Sequence, residues 1–120
     1  MKFFKFLLIT LFIPVFIVLI YINYALLHGA TCKETENGLE NTEVIYLLNH
    51  IKTKLDEGAA DEMQSIYPEG FVFLYSLYGL SWASVGQTLK PNSQLHQKAI
   101  QEIEIALANI HSENGKTPFS

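Results

Sequence analysis

The feature that most constrains this chain is a long apolar stretch near its start. No charged residue occurs from Phe6 to Leu27, and two lysines precede the stretch. As an α-helix, these 22 residues would span roughly 33 Å, enough to cross the hydrocarbon core of a membrane. We therefore predict that residues 1–27 form a transmembrane helix that serves as a signal anchor and contacts the membrane through residues 6–27.

The charges on either side of the stretch predict its orientation. Lys2 and Lys5 lie before it, whereas the residues from His28 onward carry six Lys against twelve Asp and Glu, a net charge of −6 with neutral His. Because the cytoplasmic flanks of membrane helices are enriched in Lys and Arg, we expect the remainder to be exported, on the periplasmic or extracellular side. The acidic balance and the absence of arginine predict no nucleic-acid partner.

The sequence leaves open whether the apolar segment is retained or cleaved. Its length favours retention, but signal peptidase could cut after Cys32, with Ala30 as the small residue two positions before it. Cys32 is the only cysteine, so no disulfide can form within the chain. We interpret it as an incidental thiol near the membrane. An intermolecular disulfide is the alternative, and a lipoprotein signal is disfavoured because the expected Leu and last small residue before the cysteine are missing.

The rest of the chain predicts an all-α fold, because no segment alternates apolar and polar residues as a strand does. We expect a polar linker at 28–41, a small three-helix domain at 42–112 and a flexible tail at 113–120. The first helix runs over about 42–57 with Thr42 as its N-cap. Gly58 ends it, and a short helical turn follows.

Two stripes of side chains run along the second helix, which is predicted from Pro68 to about Thr88. Aromatic residues recur at steps of four, three and four and predict a buried face. Small residues recur beside them and allow another helix to approach closely. The aromatic stripe is Phe71, Tyr75, Tyr78 and Trp82, and the small stripe is Ser76, Gly79, Ala83 and Gly86.

An alternative topology rests on the same helix. The 19 residues from Phe71 to Leu89 carry no charge, which is close to the length of a membrane span, and Gly79 and Ala83 form the small-x-x-x-small pattern of packed membrane helices. A second crossing would return the C-terminal part to the cytoplasm. The stretch contains serines, glycines and tyrosines and is less apolar than residues 6–27, so we favour a single anchor.

The third helix is predicted to follow a loop, with Asn92 or Ser93 as its cap and Asn114-Gly115 as its end. Its apolar positions follow the helical period and predict a surface that faces the core. They are Leu95, Ala99, Ile100, Ile103, Ala106, Leu107 and Ile110.

The second and third helices together resemble a single, divergent tetratricopeptide-repeat unit. In this family, aromatics and a glycine on the first helix meet alanines on the second, so that two antiparallel helices pack closely. The matching residues are Tyr75, Tyr78, Gly79 and Trp82, followed by Ala99, Ile103 and Ala106. Tyr75 and Tyr78 stand where the family usually has Trp and Leu. The resemblance implies a helical hairpin.

The resemblance also implies a candidate interaction surface. The family's ligand-facing positions on its first helix fall here on Phe73, Ser76, Leu80, Ala83 and Ser84. These residues are apolar or small, so the resemblance implies an apolar groove without the cations that hold carboxylate-ended peptides in some relatives. A single repeat leaves apolar faces uncovered, so we expect a protein partner or self-association.

No pattern in the sequence predicts catalytic, cofactor-binding or metal-binding residues. No two histidines lie four residues apart, and the two acidic pairs are typical of solvated helix ends. The histidines are His28, His50, His96 and His111, and the acidic pairs are Asp56-Glu57 and Asp61-Glu62.

We therefore expect a membrane-anchored, exported, non-enzymatic module that mediates protein–protein interaction, as an adaptor or assembly factor in a bacterial cell envelope. A small binding protein for an apolar ligand and a two-span integral membrane component are the alternatives.

The orientation can be tested with a reporter fused to the C-terminus. Because the lysines precede the apolar segment, we expect a reporter that is active only after export to be active, and a reporter that is active only in the cytoplasm to be silent. The reverse pattern would contradict the single anchor and favour two spans.

Overall fold

The computed structural model describes residues 1–28 and 32–120, which divide into two compact units after Thr31. The first unit consists of α1 (Lys2–His28). The second contains, in chain order, β1 (Cys32–Thr35), β2 (Gly38–Asn41), α2 (Thr42–Asp56), α3 (Ala59–Ile66), α4 (Gly70–Gly86), α5 (Gln94–Ile110), α6 (Glu113–Lys116) and a 3-10 turn (Thr117–Phe119). The predicted helical class is confirmed. The signal-peptidase motif involving Ala30 falls partly outside the described residues.

The first unit is one continuous helix that runs through Pro14. Within the part of the chain that the structure describes, it supplies the one helix, over Lys2–Leu26, that is long and apolar enough to cross a membrane. Its Thr10 hydroxyl donates to the Phe6 carbonyl at 2.8 Å. Such bonds to the helix's own backbone suit a segment in hydrocarbon, where no water can take their place.

Residues 32–41, predicted as part of a polar linker, instead form an antiparallel β-hairpin. The hairpin is bonded to the loop that follows α4. The Leu39 N–H donates to the Thr88 carbonyl at 3.0 Å, and the Lys90 N–H donates to the Asn37 carbonyl at 2.6 Å. These strands are stabilised by backbone hydrogen bonds to a segment that is distant in the sequence. Because they do not depend on one buried face, their residues do not alternate between apolar and polar, and the sequence did not predict them.

The turn of the β-hairpin is organised around one carboxylate. The Thr35 hydroxyl and the Asn37 side-chain amide both donate to Glu40 Oε1, at 2.6 and 2.7 Å, and these two bonds lower the pKa of Glu40. Gly38 has a φ of +114°, and a Cβ there would lie 2.7 Å from the Lys90 nitrogen. The turn therefore needs a glycine both for its conformation and for its contact with the loop after α4.

Residues 113–120, predicted as a flexible tail, form α6 and the 3-10 turn instead. Ser112 caps α6 with its side chain. The Asn114 side-chain amide donates to Asp61 on α3 at 2.9 Å, and the Gln64 amide donates to the Asn114 carbonyl at 2.9 Å. These contacts with α3, which a local pattern cannot reveal, join the end of the chain to the helical unit.

The ends of α2 and α5 follow from side-chain caps. Asn41, rather than the predicted Thr42, is the N-cap of α2, and its Oδ1 accepts from the Val44 N–H at 3.1 Å. Ser93, one of the two predicted residues, caps α5. The cap side chains accept hydrogen bonds from backbone N–H groups that have no partner within the helix.

The start of α4 lies two residues later than predicted. Pro68 belongs to the turn before the helix, which begins at Gly70. A Cβ at Gly70 would lie 2.6 Å from backbone atoms of Met63. The close approach of α3 to α4 therefore requires a glycine at this position.

Helix α4 lies at the centre of the second unit, where it contacts α2, α3, α5 and α6. Its aromatic stripe is buried as predicted, and Trp82 has no exposed surface (0%). The rings of Phe71 and Tyr75 pack with their centroids 4.9 Å apart. The buried residues around the stripe are Leu48 and Leu55 of α2, Ala60 of α3, and Ala99 and Ala106 of α5.

Helices α4 and α5 pack antiparallel through the predicted small residues. A Cβ on Gly79 would lie 3.0 Å from the Cβ of Ala106, and a Cβ on Gly86 would lie 3.6 Å from the Cβ of Ala99. These two contacts set the distance and the register of the pair.

Polar contacts define which side of α5 faces the rest of the unit. The Tyr78 hydroxyl donates to Glu102 Oε2 at 2.7 Å, and burial together with this bond raises the pKa of Tyr78. Lys98 Nζ lies 5.6 Å from the centroid of the Trp82 ring and donates to Asn49 Oδ1 of α2 at 2.7 Å. Lys98 and Glu102 therefore lie on the side of α5 that is turned toward α2.

The contact between α4 and α5 can be tested by overpacking it. Because even a Cβ at Gly79 is close to Ala106, we expect Gly79→Leu to lower the free energy of unfolding by about 1–3 kcal/mol. Ala108→Leu is the matched control, since Ala108 is exposed on α5 and should tolerate the same side chain. Equal unfolding midpoints for the two variants in denaturant would contradict the contact.

Candidate interaction surface

The structure places the five predicted surface residues on two sides of α4. Phe73 and Leu80 are 49% and 68% exposed, and Ser84 is exposed beside them. Ser76 and Ala83 are half-buried. By the helical period, these two lie on the side of α4 that carries Gly79 toward α5, so they border the helix contact.

The exposed side of α4 includes an apolar residue that is not among the ligand-facing positions implied by the resemblance to tetratricopeptide repeats. Leu77 is 48% exposed. It lies four residues after Phe73 and three before Leu80, so the three side chains share one face of the helix. The spacing alone contained this signal, since 73, 77, 80 and 84 repeat at steps of four, three and four.

Helix α5 extends this exposed surface with two residues that were predicted to face the core. Ile100 and Leu107 are 44% and 49% exposed. Each directly follows an alanine, Ala99 or Ala106, that packs against α4. One residue further along a helix means a rotation of about 100°, so both side chains turn out of the contact.

The exposed residues of the two helices lie on the same side of the pair. Lys98 and Glu102 mark the side of α5 that faces α2, and Ile100 and Leu107 lie on the opposite side by the helical period. In an antiparallel pair with the observed register, that opposite side continues the exposed face of α4. We call this surface the α4–α5 face, and it consists of Phe73, Leu77, Leu80, Ile100 and Leu107.

The α4–α5 face carries no charge at its centre. Helix α4 has no Asp, Glu, Lys or Arg. By the helical period, Glu104 and His96 of α5 and His111, directly after α5, border the face. At its N-terminal end, the Phe73 ring makes an edge contact with Tyr67, with centroids 6.5 Å apart. The surface is therefore apolar at its centre, with polar side chains at its margin.

A polar groove of about 490 Å³ lies elsewhere in the second unit, between the β-hairpin turn and α5. Amide side chains predominate in its lining, which consists of Asn37, Gln94, Leu95, Gln97, Lys98, Gln101 and Glu102. Its two opposite charges do not form a general acid–base or nucleophilic arrangement. The buried aromatic stripe does not line this groove.

The carboxylates that the sequence singled out have structural partners. Asp56 pairs with Lys52 and Glu57 with Lys54, both at 2.6 Å, and these exposed pairs contribute little to stability. Asp61 accepts the hydrogen bond from Asn114 described above. Within residues 1–28 and 32–120, no cluster of three or more His, Cys, Asp and Glu side chains is placed to hold a metal ion. Cys32 is exposed.

Compared with known protein families, curated proteins and solved structures, the chain has no significant match in any of the three.

Proposed function

We propose that this protein is a membrane-anchored helical module, exported to the outer side of the membrane, that binds a protein partner through its α4–α5 face. Its role is that of an adaptor or assembly factor in a cell envelope. The observation that carries the proposal is the contiguous exposure of large apolar side chains on two packed helices, at 44% to 68% each.

The size of the α4–α5 face supports a binding role. Its five side chains together expose roughly 500 Å², in the upper part of the range for the largest apolar patch on a monomer. Covering that area would contribute on the order of 10 kcal/mol before the costs of association. Scattered single apolar residues need no partner, whereas the largest continuous apolar patch on a protein is often functional.

A tetratricopeptide-like architecture is part of the proposal. The approach of Gly79 to the Ala106 Cβ supports it, because the family joins its two helices through such small residues. In repeat proteins, the outer face of one hairpin is covered by the next hairpin. An isolated unit would keep that face free for another protein.

Anchoring through α1 is the second part of the proposal. The length and composition of Lys2–Leu26 support it, and the distribution of lysines supports export of the remainder.

Helix α4 has 17 residues, about 26 Å as a helix, and buries its aromatic stripe against α2, α3 and α5. This packing disfavours the two-span alternative. It also disfavours an apolar-ligand site, because the aromatic stripe is already covered.

The binding role can be tested by photo-crosslinking in living cells with the full chain. A photoreactive amino acid at position 80 lies at the most exposed residue of the α4–α5 face, and we expect it to form a covalent product with a protein. Leu47 of α2 is the matched control, because it is 55% exposed but lies outside the face. Products with lipid alone, no product, or equal products at both positions would contradict the proposal.

A further inference from the structure

We infer that the partner on the α4–α5 face is a second copy of this chain, in a symmetric dimer in which the two faces cover each other. The inference rests on the proposed binding role and names the partner. In such a pair the same patch serves on both subunits, as in most two-fold homodimers. The two α4–α5 pairs would form an intermolecular four-helix layer, at the spacing of about 8–10 Å usual for packed helices.

The distribution of charge favours self-pairing. Residues 28–120 are strongly acidic, with six Lys against twelve Asp and Glu, so two copies would repel each other at most orientations. Most of the acidic residues, however, lie outside α4 and α5, and α4 carries none. Of the two on α5, Glu102 is turned toward Tyr78, and only Glu104 borders the face. When two α4–α5 faces meet, α2 and α3 lie behind α4, and their acidic residues are separated from those of the second copy by at least two layers of helices, beyond the Debye length of about 8 Å at physiological salt. Glu104 alone stays near the contact, at its margin.

The available area is enough for a small dimer interface. Helices of 17 residues are about 26 Å long, and two of them side by side offer roughly 20 Å of width. Two copies together would bury roughly 1,000 Å², the lower limit for a biological interface. The small residues beside the face, Ser76, Ala83 and Ser84, would let large side chains of the second copy enter.

The margin of the face argues against a lipid surface as the occupant. Helices that lie on membranes usually border their apolar side with Lys and Arg. Here the bordering groups are Glu104, His96 and His111. The single lysine of α5, Lys98, is turned toward Trp82 and Asn49 on the opposite side. An acidic domain with this border is repelled by anionic lipid headgroups.

The test uses the purified full chain in lipid nanodiscs or detergent, in two versions that carry different affinity tags. We expect each tag to co-isolate the other in proportion to their mixing. Leu80→Glu in both versions should weaken this association at least tenfold, because it places like charges in a desolvated contact. Leu47→Glu, the same change at the exposed α2 position, should leave the association unchanged. Circular dichroism of each variant checks that its helices remain folded.

The possible results separate this inference from the binding role on which it rests. Co-isolation that is lost in Leu80→Glu but kept in Leu47→Glu supports the dimer. A monomeric wild-type chain overturns it, and so does association that Leu80→Glu leaves intact, as contact through α1 alone would produce. If the crosslinker at position 80 then traps a different protein, the binding role stands and the self-pairing falls. If it traps no protein, both fall.

Discussion

The close approach of α4 and α5 at Gly79 and Ala106 sets the arrangement of the rest of the helical unit. Because a Cβ at position 79 would lie 3.0 Å from the Ala106 Cβ, the two helices meet backbone to backbone. The aromatic side chains of α4 then turn to the adjoining side, where α2 and α3 cover them. The β-hairpin forms backbone hydrogen bonds to the loop after α4, and α6 forms a hydrogen bond to α3.

The same contact explains why an apolar surface remains exposed. Because small residues occupy the contact between α4 and α5, the larger apolar residues next to them in the sequence point away from that contact. On α4 these are Phe73, Leu77 and Leu80, and on α5 they are Ile100 and Leu107. Three sides of α4 pack against other helices of the second unit, whereas on the fourth the described residues show only the edge contact between Phe73 and Tyr67. The proposed function follows from that exposed fourth side.

The sequence predicted those features that depend on local periodicity. The helices, the Ser93 cap, the buried aromatic stripe and the small stripe are all recognisable from spacing alone. It did not predict the β-hairpin or the ordered α6, because their bonds join residues distant in the chain, such as Leu39 with Thr88. It also assigned Ile100 and Leu107 to the core, because periodicity identifies an apolar stripe but cannot say how wide a strip of it the neighbouring helix covers.

Trp82 allows the most direct measurement of whether α4 is the core of a domain outside the membrane. It is the only tryptophan in the chain and has no exposed surface, so its fluorescence reports on this one site. With the full chain in lipid vesicles, we expect blue-shifted emission that neither iodide in the water nor brominated lipid quenches, and a red shift on unfolding in urea. Quenching by brominated lipid would place α4 in the membrane, and quenching by iodide would show that the aromatic stripe is not buried. Either result would contradict a helical unit that lies outside the membrane with α4 at its core.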